Sequence, residues 1–234
     1  MQLNLNPNMQ VTETYIGKEK LPLLVIDNFV QDAEQMIEHA SQLHFVANGS
    51  LYPGVRAPAG ANFEHLLLNV LQQRKKHFFA DEKLKLKLSL CQYSLVTTPP
   101  NQLTLLQRIP HFDTVEKNAL AAVFYLFKGD LGGTSFYRHR KTGFEYIDET
   151  RKIPYYTSLE QENGGGRIPT PEDGYINGDS SLYTRIGEQK GVFNRLIVYH
   201  SNALHSGSIP TDFSFDPDPQ NGRLTISSFI DCNY

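Results

Sequence analysis

The chain has no tryptophan and only two cysteines, Cys91 and Cys232, widely separated in its 234 residues. Two cysteines can build neither a disulfide framework nor a cysteine-rich zinc site. A reducing, cytoplasmic setting is therefore the expectation. Basic excess is missing too: the formal net charge is −3 and the pI is near 6.2. A phosphate backbone would find no cationic surface to meet it, so nucleic acid is not an expected partner. No stretch approaches the ~20 continuous apolar residues that span a bilayer. The opening MQLNLNPNMQ lacks the basic and apolar regions of a secretion signal, so no membrane partner is expected. Repeats and low-complexity tracts are absent. What remains is a chain long enough to bury a substantial core without covalent staples, read as a single domain over residues 1–234.

Hydrophobic periodicity supplies the elements. LPLLVIDNFV, residues 21–30, is a strand-type apolar run. The next segment places Ala33, Met36, Ile37, Ala40 and Leu43 at helical spacing. Residues 46–61 are rich in Gly, Pro and Ala and read as a loop. Residues 61–79, ANFEHLLLNVLQQRKKHFF, form a second amphipathic helix with a basic C-terminal end. The pattern then switches to period two in KLKLKLSLCQYSLV, residues 83–96. Leucines 84, 86, 88 and 90 share one parity, whereas Cys91, Tyr93 and Leu95 share the other, so a bulge or a change of burial is expected near Leu90. QLTLLQRI, NALAAVFYLF, TSFYRHR, VFNRLIVYHS and RLTISSFID are further strand candidates. Residues 138–190 are polar and rich in Gly, Pro and Tyr, with GGGR (164–167) as their most flexible point. This insert reads as a lid or substrate-binding loop, or as a decorated surface loop. Strand, helix, helix and then many strands make an α+β protein whose N-terminal helices pack on one sheet of a sandwich or barrel.

The chemistry centres on RIPHFDT, residues 108–114. His111 and Asp113 are two apart in an extended segment, so both side chains project from one face and can reach one metal ion. The triplet alone is a weak signal. A facial site needs a third ligand, preferably a neutral imidazole. His200 and His205, in NRLIVYHSNALHSG, are the candidates. His39, His44, His65 and His77 lie in or near the helices and read as surface residues, and His139 sits between two arginines. Farther on, Arg223 opens the last strand as G-R-L-T, with Thr225 on the same face. A guanidinium and a hydroxyl so placed can grip a carboxylate.

Taken in order, these pieces resemble the iron(II)- and 2-oxoglutarate-dependent dioxygenases, on their prolyl-hydroxylase-like side. LLVIDNFVQDAEQMI is similar to that family's strand-then-helix entry, and PHFD to its H-x-D ligand motif. AAVFYLF with GDLGGTSFY, NRLIVYHSNALHSGSIP and GRLTISSFI resemble three later stretches. The resemblance implies a double-stranded β-helix (jelly-roll) core and Fe(2+) held by His111, Asp113 and His205. His200 would then be structural or an outer neighbour of the site. Arg223 and Thr225 would hold the distal carboxylate of 2-oxoglutarate, with Tyr93 as the candidate hydroxyl beside it. With O2, the implied reaction hydroxylates an unactivated C–H bond of a small-molecule or peptidyl substrate and releases succinate and CO2. The intervals from Asp113 to His205 and from His205 to Arg223 are longer than is usual in that family. Arg138 and Arg140 of RHR could contact an acidic substrate. Two other readings compete: a cupin-type metalloenzyme, and a non-catalytic binding protein that retains the fold.

Overall fold

The bulge expected near Leu90 lies at Ser89, and it decides which residues of its strand face the core. In the computed structural model, which describes residues 2–47, 51–81, 83–163 and 166–233, the pairing jumps from Phe229–Leu90 to Ile230–Leu88. Leu84, Leu86 and Leu88 before the bulge therefore join the same apolar cluster as Cys91, Tyr93 and Leu95 after it. Leu90 itself pairs with Phe229 on the opposite side.

In chain order the elements are β1 (Gln10–Ile16), β2 (Leu21–Asp27), α1 (Ala33–Ser41), β3 (Val46–Ala47), β4 (Gly54–Pro58) and α2 (Ala61–Arg74). There follow β5 (Lys85–Val96), α3 (Leu105–Arg108), β6 (Ala119–Tyr125), β7 (Gly133–His139) and α4 (Glu149–Asn163). β8 (Tyr183–Lys190), β9 (Arg195–His200), β10 (His205–Ser208) and β11 (Leu224–Asn233) complete the chain. The large sheet runs β1-β2-β9-β6-β11-β5-β4-β3, the small one β10-β7-β8, and every pairing is antiparallel. From β5 onward the chain alternates between the sheets, apart from the consecutive pair β7 and β8 within the small one, and the segment at His111 bridges to β10. That alternation is the winding of a jelly roll.

Strand parity divides the large sheet into two faces. Leu196, Val198, Leu120, Ala122, Phe124, Leu224, Ile226, Tyr93 and Leu95 share one cluster with Met36 of α1 and Phe63, Leu67 and Leu71 of α2. The opposite parity looks between the sheets. Its residues Ile197, Tyr199, Ala121 and Tyr125 pack with Phe136 of β7. No helix among the described residues is long and apolar enough to cross a membrane.

Three readings from sequence change. QLTLLQRI is not a strand: it forms a 3-10 turn at Pro100–Gln102 and then α3. There Gln107 Oε1 accepts the Thr104 N–H at 2.9 Å, one half of a capping box that closes the helical turn locally. The Gly- and Pro-rich loop contains β4, whose backbone pairs with β5 from Gly54–Val96 to Pro58–Gln92. The 138–190 insert supplies the end of β7, α4 and β8, and it carries an apolar cluster of its own with Tyr137, Ile147, Tyr155 and Tyr183. It is therefore largely a packed element of the fold. Gly164 and Gly165 of the GGGR stretch lie outside the described residues.

Candidate metal centre

His111 and His205 face each other across an isolated antiparallel bridge. The His111 N–H donates to the His205 carbonyl at 2.9 Å, and the His205 N–H returns the bond at 2.8 Å. This pairing brings the rings to 4.3 Å between centroids. Asp113 is held by its own N–H, which donates to the Ser201 carbonyl at 2.8 Å. Between the two ligands, Phe112 packs against Tyr155 of α4 with ring centroids 6.2 Å apart. In an extended segment successive side chains diverge, so anchoring Phe112 in the insert's cluster turns His111 and Asp113 the other way. The insert thus braces the ligand segment.

One ligand atom from each of His111, Asp113 and His205 lies within 4.8 Å of the others. Asp113 Oδ1 is 3.8 Å from His111 Nε2, and Oδ2 is 3.7 Å from His205 Nε2. Two atoms that share one ion stand no more than about twice a ~2.1 Å bond apart, so these separations suit a single metal. His205 Nδ1 is 2.9 Å from the Ala203 carbonyl and donates to it, which leaves Nε2 free as a lone pair facing Asp113. Burial holds the His205 imidazole down at about 4. The surrounding protein, then the neighbouring His205, lowers His111 to about 4 as well. Solvent nevertheless reaches 51% of the His111 side chain, so this ring is accessible to an incoming ligand. Burial raises Asp113 to about 6, against the pull of His111 and Arg56. At neutral pH the set is two neutral imidazoles and one carboxylate on one side of the ion, the donor set that suits ferrous iron and leaves positions open.

Beyond the triad, the interior-facing residues form rows across the large sheet. One row pairs Arg56 with Ser94, Ser94 with Thr225, Thr225 with Tyr125 and Tyr125 with Arg195. Arg223 precedes this row and is buried. Its Nε donates to the Leu131 carbonyl at 2.9 Å and its Nη2 to the Gly133 carbonyl at 2.7 Å. Gly132, at φ +82°, lets that turn pass close to β10: a Cβ there would lie 1.7 Å from the Ser208 carbonyl oxygen. Among the described residues no carboxylate pairs with Arg223, whereas Arg195 holds Asp27 through two contacts of 2.6 and 3.0 Å. Tyr52 stands beside Arg223, and its buried Oη lies next to the Ser94 and Thr225 hydroxyls without closing a well-formed bond to either. Burial raises this phenol to about 12. The Arg56 guanidinium lies 4.2 Å over the Tyr52 ring. Arg56 Nε and Gln92 Oε1 are also buried without a partner. Buried polar groups are normally paired, so this cluster has the character of a ligand cavity.

Tyr93 does not belong to it. Its parity turns it to the helix side, where its hydroxyl meets His39 Nδ1 at 3.4 Å. The hydroxyl that stands beside Arg223 and Thr225 is that of Tyr52, not Tyr93. Sequence reasoning missed Tyr52 and Arg56 because both sit in the Gly- and Pro-rich segment; the available signal was a lone arginine among small residues. His200 also faces the helix side, edge-on to Phe78 and Phe79. His139 is enclosed by Thr142 at 2.9 Å and Glu162 at 3.0 Å. Arg138 and Arg140 are committed to Glu145 and Asp179.

No functionally curated protein matches the sequence. Among solved structures, HygX from Streptomyces hygroscopicus with nickel and 2-oxoglutarate bound has a TM-score of 0.51 at 11% identity, over 89% of this chain and 82% of that one. HygX with iron bound has a TM-score of 0.50 at 8% identity, over 95% and 81%. The non-heme alpha-ketoglutarate-dependent epimerase SnoN from nogalamycin biosynthesis has a TM-score of 0.44 at 11% identity, over 85% and 69%. At such identities the likeness to HygX is one of fold: a jelly roll of the type found in 2-oxoglutarate oxygenases. A family model matches residues 7–230, nearly the whole chain, and the protein belongs to that family, the family of unknown function DUF6445.

Proposed function

We propose that this protein is an iron(II)- and 2-oxoglutarate-dependent oxygenase. The carrying observation is that His111, Asp113 and His205 gather their ligand atoms within 4.8 Å on the side of the sheet where buried Arg223 has no carboxylate partner. HygX structures with iron, or with nickel and 2-oxoglutarate, support the reading through a shared fold. His111, Asp113 and His205 would hold a ferrous ion, which would supply the coupling of O2 reduction to oxidative decarboxylation of 2-oxoglutarate, with succinate, CO2 and a hydroxylated substrate as products.

The chain's own residues do the positioning. His205 stays in the ligating tautomer because its Nδ1–H donates a hydrogen bond to the Ala203 carbonyl. Arg223, preset by Leu131 and Gly133, offers its remaining N–H groups to the distal carboxylate, flanked by Thr225 and Tyr52. The burial that depresses the histidines and Arg223 also strengthens these charge contacts by excluding water. Among the described residues Arg223 has no carboxylate counter-ion, which favours an oxoglutarate enzyme over a cupin-type one.

The test starts without oxygen. Fe(II) and 2-oxoglutarate added together should produce a visible charge-transfer band, and admitting oxygen should then yield succinate. A band that never forms, or one that persists unchanged in His111→Ala and His205→Ala, would overturn the assignment. A band without succinate would favour a non-catalytic binding protein.

A further inference from the structure

Arg74, Arg138, Arg140, Arg151, Arg185 and Arg195 each stand within ion-pair distance of a carboxylate. Arg56 does not. It projects from β4 onto the interior face, in register with Ser94, and its aliphatic neighbours Val55 and Ala57 take the other parity. The Tyr52 ring lies beneath its guanidinium, and its buried Nε has no partner. Asp113 is the carboxylate that its charge senses, yet no ion pair closes between them: both Asp113 oxygens face the histidines instead.

Charge decides what Arg56 is for. A divalent ion, the Asp113 carboxylate, doubly negative 2-oxoglutarate and Arg223 cancel one another. Arg56, half-buried with its Nε shut off from water and unpaired, is left as a partly desolvated cation beside a neutral assembly. A buried charge is costly unless paired, and a guanidinium pairs best with a flat or tetrahedral oxyanion. We infer that Arg56 is the anion-recognising residue of the substrate subsite, and that the substrate bears an oxyanion, a carboxylate or a phosphate. This inference rests on the oxygenase reading above. It excludes an uncharged hydrocarbon or a cationic side chain as the preferred substrate, because neither would neutralise Arg56.

The experiment uses protein loaded with Mn(II) and 2-oxoglutarate, titrated separately with inorganic phosphate and with acetate. Relaxation of the phosphorus and methyl-proton signals by the bound manganese reports an anion near the metal. Loaded wild type should show saturable relaxation for at least one anion, with a dissociation constant on the order of a millimolar. Arg56→Met should weaken that binding by about tenfold or more, as expected for losing a charge-assisted hydrogen bond, while Mn(II) and 2-oxoglutarate affinities stay within about twofold. Arg56→Lys, which keeps the charge, should retain part of the binding, and whichever anion responds identifies the substrate's group. Three outcomes overturn the inference alone: no anion binding to loaded wild type, equal anion binding in Arg56→Met, or loss of 2-oxoglutarate binding in Arg56→Met as deep as in Arg223→Met. Failure of wild type to bind Mn(II) with 2-oxoglutarate overturns the oxygenase reading, and this inference with it.

Discussion

Tyr93 and Ser94 are neighbours on β5, yet they belong to different worlds. Tyr93 sits in the apolar layer under α1 and α2, while Ser94 lies among Arg56, Thr225 and Tyr52 on the interior side. β11 repeats the contrast: Leu224 and Ile226 join the helix-side cluster, and Thr225 between them looks inward. One face of the sheet carries stability and the other carries the site, and the two are interleaved residue by residue. A pleated strand enforces this because successive side chains leave opposite faces. A one-residue shift along the strand therefore moves a side chain from the interior face into the core, and it separates Tyr93 from Ser94.

The division can be broken or sharpened by substitution. The largest effect falls on the triad. His111→Ala, Asp113→Ala and His205→Ala should each lower Mn(II) affinity at least ~100-fold, beyond the usual cost of losing an outer partner; spin-resonance titration measures it. On the helix face, Ile226→Ala should cost ~2–5 kcal/mol in urea denaturation and leave the 2-oxoglutarate affinity of the folded protein unchanged. A clear loss of co-substrate affinity there would dissolve the division between faces. Arg223→Met should do the reverse, weakening 2-oxoglutarate by roughly 10–100-fold with Mn(II) affinity intact. Equal loss of both would show that Arg223 supports the metal instead.

Acidity gives a fourth test. Asp113 is raised to about 6 and the two histidines are lowered to about 4. Metal binding needs all three deprotonated. Affinity should hold level above pH 6 and fall about tenfold per unit between 6 and 4 as one proton occupies Asp113. Below 4 it should fall more steeply, as the histidines also charge. A steep fall starting already near 6.5 would mean that the histidines titrate at ordinary values. The smallest effect belongs to Tyr93→Phe. It should cost no more than ~0.5–1.5 kcal/mol for the bond to His39 and nothing in 2-oxoglutarate affinity. A several-fold weakening by Tyr52→Phe, set beside no change in Tyr93→Phe, would place the hydroxyl on the interior face.

Much of this was legible beforehand because it depends on short-range pattern. The strands at β5, β6, β9 and β11, the helices α1 and α2, and the bulge beside Leu90 follow from apolar periodicity. The H-x-D pair could be read because both residues share one extended segment. Other features could not. β4 has no alternation of its own, and the β5 backbone decides that it is a strand. α3 is four residues closed by a local cap in a segment whose apolar content also suits a strand. The insert was read as a loop because its composition is polar, while its apolar Tyr and Ile residues become a core only when α4 and β8 bring them together.

Local residue order thus suffices for the ligand types, for the parity on which Arg223 and Thr225 lie, and for the alternation that yields two faces. It cannot choose between His200 and His205, place Tyr52 beside Arg223, or show that Arg56 stands near Asp113 with no ion-pair partner among the described residues. Those depend on contacts between residues scores of positions apart. They are settled when the sheets close and the His111–His205 bridge forms, because only burial makes an unpaired charge or hydroxyl costly enough to require a ligand.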